Sequence, residues 1–227
     1  MRRRKIKKGR IPFIGNQSFH TSTMLRIARS VHARLSRESK EDLFFACNRM
    51  FREANTKEEV FRMQVAFLSG VLPGSIDHCG PPQEETDEIA ADLITMCHAG
   101  YLPTCSQPPR ANQIPYVMGM VEAGRATTLF EAILPDDRFW VCAEMPDGTV
   151  RTNAPFNEGG FYTVSRRPDG TTTHCSRTGN RELFFLAYED SPVRDMFADH
   201  ACVWVAAREE DSPASPAQTI LAALHSP

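Results

Sequence analysis

"YLPTCSQPPRANQIPYVMGMV", residues 101–121, is where the chain changes its period. Upstream, apolar residues recur every three to four positions, the spacing of helices with one buried face. From Tyr101 on, short apolar and β-branched runs are cut by Pro, Gly and Asn, the grammar of strands and turns. "YLPTCSQ" reads as a strand entering a turn and "IPYVMGMV" as a second strand. The fold class turns on this switch, because helices before residue 100 and strands after it describe an α+β chain rather than alternating α/β.

Working back from Tyr101, "EETDEIAADLITMCHAG" predicts a helix over 84–99. Its acidic first turn suits the helix dipole, Ile89, Leu93 and either Met96 or Cys97 face inward, and Gly100 takes the position after the cap. "TKEEVFRMQVAFLSG" has the sharpest helix start, with Thr56 and Glu59 spaced as a capping box. Val60, Met63, Phe67 and Leu68 form its apolar face, and Gly70 ends it. Residues 40–53 predict a helix with Leu43, Cys47, Met50 and Phe51 together. Residues 22–36 predict another, with Met24, Ile27, Ala28, Val31 and Leu35 as its inward stripe and Arg26, Arg29, Arg34 and Arg37 off it.

Working forward, "RATTLFEAIL" is a helix closed by Pro135, "RFWVCAEM" a buried strand, and "FYTVSRRPDGTTTHCSR" a hairpin about Pro-Asp-Gly. "ELFFLAYED" is open between strand and helix, and "ACVWVAAR" closes the set as a strand. The expected architecture is a helical N-terminal layer on a mainly antiparallel sheet. It comprises a basic arm over 1–18, one domain over 19–208, and a linker-like tail over 209–227 holding a short helix, "QTILAALH".

Composition narrows the class. Apolar residues are 41% and charged residues 24% of 227, the balance of a globular chain. No run of about 18 apolar residues predicts a membrane span. The basic start has no apolar core of a secretory signal behind it. Seven cysteines, widely spaced and without Cys-x-x-Cys, read as reduced thiols. The expected setting is cytoplasmic or otherwise intracellular, with the nucleus open and oligomeric state undetermined. The net charge of −2 hides a split: residues 1–52 carry 14 basic against 3 acidic residues, and the rest 12 against 25. Arg2, Arg3, Arg4, Lys5, Lys7, Lys8 and Arg10 are dense enough for salt-sensitive contacts with nucleic acid or an acidic protein, against the alternative of a solvated tail.

Chemistry concentrates after Gly100. Pro108 keeps Gln107 extended, so Thr104, Cys105, Ser106, Gln107 and Asn112 set uncharged hydrogen-bonding groups at a strand end, suited to a polar ligand. They could equally tie the turn to itself. As a catalytic alternative, Cys105 or Ser106 with His98 would make a small hydrolase or transferase, although no third, orienting group is evident. His78-Cys79, Cys97-His98 and Cys105 are ligand types for zinc but match no compact zinc spacing. "GTVRTNAPFNEGG" lacks the spacing and following helix of a phosphate loop. No metal or cofactor is expected.

"FLSG…HCGPPQEET…LITMCHAGYLPTCSQPP…YVMGM" resembles a domain family of actinomycete proteins and large DNA viruses that has no known activity. The matching positions are Phe67-Leu68, Gly70, Gly80-Pro81, Glu85-Thr86, Gly100-Tyr101, Thr104, Ser106-Gln107-Pro108 and Gly119. Phe67 stands for the family's Trp, Cys97 for an Asn and Met118 for a Glu. The match covers about 55 residues. It implies that Ser106-Gln107 matter, and a methionine at 118 speaks against a catalytic carboxylate there. The expectation is therefore a non-catalytic interaction or regulatory module.

Overall fold

The computed structural model describes residues 21–76, 78–110, 113–166, 172–209 and 212–225. The basic residues Arg2 to Arg10, and Asn112, lie outside the described residues. Helices α1 (Thr21–Ala33), α2 (Arg37–Arg52), α3 (Lys57–Leu68) and α4 (Ala90–His98) precede strand β1 (Tyr101–Gln107). Then follow β2 (Tyr116–Glu122), α5 (Ala123–Ile133), β3 (Phe139–Glu144), β4 (Val150–Thr152), β5 (Phe161–Arg166), β6 (Thr172–Ser176), α6 (Asn180–Ala187), α7 (Pro192–Met196), β7 (His200–Ala207) and α8 (Pro216–Leu224). Five strands form one sheet in the order β1-β2-β7-β3-β4, every pairing antiparallel, and β5 pairs with β6. The chain is α+β. Among the described residues no helix is long and apolar enough to cross a membrane.

Both faces of the sheet are covered. Val117, Val121, Val141, Val203 and Val205 pack beneath α4, α5 and α8. On the other face, Leu102, Met120 and Cys202 meet α6, α7 and the inward residues of α2 and α3. Beyond them, Trp204 and Cys142 lie under the β5–β6 hairpin through Val164 and Cys175. Double cover explains why β7 reads as an unbroken apolar run instead of alternating. Helix α8 supplies Ala217, Ile220, Ala223 and Leu224 to the core, so the segment read as a tail is part of the packing.

Local chemistry accounts for most elements. Thr56 Oγ1 accepts the Glu59 amide at 3.1 Å, half of the expected capping box. The Glu59 carboxylate reaches one residue further back, to the Asn55 amide at 2.8 Å. All four predicted inward residues of α3 are buried, as are Ile89 and Leu93, and Met96 and Cys97, read as alternatives, are both buried.

Helix α1 corrects the sequence reading. Ile27 and Val31, placed on the inward stripe, are 51% and 56% exposed, while Leu25 is fully buried. The inward face is Leu25, Arg29 and His32, spaced i, i+4, i+7 on one side of the helix. It packs on polar partners: Arg29 bonds the Pro82 and Gln83 carbonyls and pairs with Asp87, and His32 lies against Gly80. In α2, likewise, Cys47 and Phe51 are buried but Met50 is exposed.

The predicted helix over 84–99 is two pieces, a 3₁₀ turn at Glu84–Glu88 and then α4, parted at Ile89 (φ −116°, ψ 0°). "ELFFLAYED" resolves as helix α6. Its start is capped from a distance: both oxygens of Glu144, at the end of β3, accept backbone amides, from Gly179 at 3.0 Å and Arg181 at 3.1 Å. Two short elements, β4 and α7, escape the sequence reading. Helix α7 has a legible start nonetheless, since Ser191 accepts the Val193 amide and Pro192 opens the helix.

Candidate functional site

Strand β1 is an edge strand, and its outer side is roofed by α3: Gln64 Nε2 donates to the Pro103 carbonyl at 2.9 Å. Proline suits this position because it has no amide to leave unpaired. Between Pro103 and Cys105 the register with β2 slips, which makes Thr104 the extra residue of a bulge. Thr104 Oγ1 donates to the Met118 carbonyl at 3.3 Å. Past the bulge, side chains alternate again. Cys105 and Gln107 stand opposite Met118 and Tyr116, and Ser106 opposite Val117 on the other face.

This strand borders a cavity of about 610 Å³. The cavity wraps the β1 edge, bounded by Phe67 and Leu68 of α3, Leu93 of α4, Phe184 of α6 and Tyr188 just past its end, and by Ser75, Ile76, His78, Glu85 and Thr86 of the loop and 3₁₀ turn that follow α3. Four of the predicted site residues line it: Thr104, Cys105, Ser106 and Gln107. The Gln107 amide donates to the Ile114 carbonyl at 3.1 Å, so it also ties the β1–β2 turn. Cys105 Sγ lies 3.0 Å from the Tyr116 hydroxyl. Burial first, and then the neighbouring Cys105 and Glu85, push the Tyr116 phenol far above its ordinary range, so it stays protonated. Ser106 lines the cavity, and among the described residues no hydrogen bond engages its hydroxyl.

His98 does not join this group. It is exposed at the last turn of α4 and is not part of the cavity wall. Its neighbour Cys97 is buried, its thiol pushed up to about 12 by desolvation. The pairing of His98 with Cys105 or Ser106 is therefore corrected: adjacent helical positions diverge by about 100°, and the core took Cys97.

The histidine on the wall is His78. A bridge between Gly74 and Cys79 closes its loop, and Asn48 Nδ2 holds that loop through the Ile76 carbonyl at 2.6 Å. The His78 ring lies edge-on to Phe67, centroids 5.8 Å apart. Cys79 points elsewhere, with its thiol toward the Lys40 carbonyl. Among the described residues no three His, Cys, Asp or Glu side chains gather as a metal site.

Sequence reasoning missed His78, Gln64, Glu85 and Thr86 as cavity residues. For Glu85-Thr86 a signal existed, since the pair belongs to the same matched pattern as Ser106-Gln107. The fold brings both halves of that pattern to one cavity. No protein-family model and no curated protein matches the chain, so the resemblance rests on its residues alone.

Proposed function

We propose that the protein is a non-catalytic interaction or regulatory module that takes a small polar organic ligand into the β1-edge cavity. One observation carries this reading: Thr104, Cys105, Ser106 and Gln107 line a cavity whose size is that of small-molecule sites, roughly 300–1,000 Å³. The Gln107 amide is oriented by the turn, the Ser106 hydroxyl is without a partner among the described residues, and the aromatic wall gives a ligand's body apolar contact. The small hydrolase or transferase alternative needs a base beside Cys105 or Ser106. His98, the base named for that alternative, stands outside the cavity, and the wall's own His78 is packed edge-on against Phe67, which supports the non-catalytic reading.

A ligand-observed NMR fragment screen on the full chain tests the proposal, with Ser106→Tyr as the occluded control. Fragments bind the parent protein and lose binding in the variant. Fragments that bind both equally well sit elsewhere and defeat it.

The basic segment Arg2 to Arg10 is proposed as a contact for nucleic acid or an acidic protein. Filter binding of a DNA or RNA oligonucleotide across a salt series tests the nucleic-acid arm, with affinity falling as salt rises. Affinity unchanged by deletion of residues 1–10 rules that contact out.

A further inference from the structure

Among the described residues that line the cavity, Glu85 and His78 are the acidic or basic side chains, and no Lys, Arg or Asp is among them. The other acids of the same 3₁₀ turn show what is usual there. Asp87 is paired with Arg29, and Glu88 with Arg110 at 3.2 Å. Glu84 is exposed to solvent. Glu85 is half-buried, borders the cavity, and among the described residues has neither ion pair nor side-chain hydrogen bond. A carboxylate drawn partly out of water without a cation gains most from a partner that brings one.

The rest of the wall suits the remainder of such a partner. Phe67, Leu93, Phe184 and Tyr188 give an apolar and aromatic surface, and aromatic faces attract cations as well as hydrocarbon. Ser106, Thr86 and the Gln107 carbonyl oxygen give neutral acceptors for additional N–H groups. An anionic ligand would meet Glu85, with no Lys or Arg on the wall among the described residues to offset it.

We propose that the ligand of the β1-edge cavity is a small organic monocation, an amine or guanidine on an apolar body, whose charge is met by the Glu85 carboxylate. The proposal deepens the reading of the cavity as a ligand site and rests on it.

Three size-matched probes separate the two claims: phenethylamine as the cation, 2-phenylethanol as its neutral counterpart, and phenylacetate as the anion. Each is titrated by NMR into the full chain, into Glu85→Gln and into Glu88→Gln, whose carboxylate pairs with Arg110 away from the wall. The expected result is phenethylamine binding about tenfold more tightly than 2-phenylethanol to the parent and to Glu88→Gln. Phenylacetate binds most weakly. In Glu85→Gln the preference collapses to below about twofold while 2-phenylethanol binding persists, and that persistence shows the cavity is still formed. Equal binding of cation and neutral probe to the parent, or a preference that survives Glu85→Gln, overturns the monocation and leaves the cavity reading standing. Binding of none of the probes overturns both.

Discussion

Strands β1 and β7 belong to one sheet, two places apart, and their chemistry is opposite. All eight residues of β7 are buried, including His200 at its head. In β1 the first three are buried and the next four, Thr104 to Gln107, are partly or fully exposed. The two are joined: Tyr101 at the start of β1 donates its hydroxyl to the Val203 carbonyl of β7 at 2.8 Å, across β2. A central strand with both faces covered has every group committed to packing and ladder bonds. An edge strand can anchor one end in the core and offer the other to something else. The candidate site lies where that commitment stops.

The comparison makes β7 the costliest place to alter. Trp204 is fully buried, stacked on Tyr162 at 5.9 Å and met edge-on by Phe156 at 5.8 Å. Trp204→Ala should cost about 3–5 kcal/mol, read from the urea midpoint at unchanged slope. A loss under about 1 kcal/mol would mean that the hairpin, not β7, holds this face.

Next comes the strand between them. A Cβ on Gly119 of β2 would lie 2.3 Å from the Leu102 carbonyl oxygen and 2.5 Å from the Tyr101 ring. Backbone and a packed ring have little room to give, so Gly119→Ala should cost about 1–3 kcal/mol by overpacking. If the cost comes from displacing β1, the variant also weakens fragment binding. Binding retained at reduced stability would show that the anchored and offered ends of β1 move independently.

How far these features were legible follows from how local their causes are. Helices α3 and α4 could be read because a nearby cap and an apolar face point the same way. Strand β1 could be read from the change of period at Gly100. Helix α1 could not: its inward face holds Arg29 and His32, and only the fold supplies Asp87, the two carbonyls and Gly80 to receive them. Helix α6 stayed ambiguous because its cap, Glu144, lies 35 residues from Gly179. The site divides the same way. Ser106-Gln107 stood out through the local effect of proline, whereas His78 and Glu85 reach the wall on a loop whose course no short-range pattern records.

A smaller effect belongs to the head of β7. Burial holds the His200 imidazole below its ordinary pKa of 6.5, against the opposing pull of the Asp199 hydrogen bond at 2.6 Å. The unfolded chain therefore takes up a proton before the folded one does. Stability from this group is complete above about pH 6.5 and is lost as pH falls below it, until the folded imidazole itself is charged. His32 is shifted in the same direction, chiefly by burial. Urea titrations at pH 7.5, 6.5 and 5.5 should show declining stability, and His200→Gln should flatten the decline. An unchanged slope in that variant assigns the effect to other groups.

The smallest stability change should come from the offered end of β1, and it is the most discriminating. Gln107→Ala removes a partly exposed side chain and one hydrogen bond, to the Ile114 carbonyl, at a cost of about 1 kcal/mol or less. Ser106→Ala removes a hydroxyl without a partner among the described residues and should fall within about 0.5 kcal/mol of the parent. If these groups serve only the turn, binding of fragments tracks stability and barely moves in either variant. If they serve a ligand, binding drops several-fold in both while the urea midpoint stays nearly fixed. That divorce of binding from stability, absent at Trp204 and marked at Ser106, is what distinguishes a strand that offers its side chains from one that has spent them on the core.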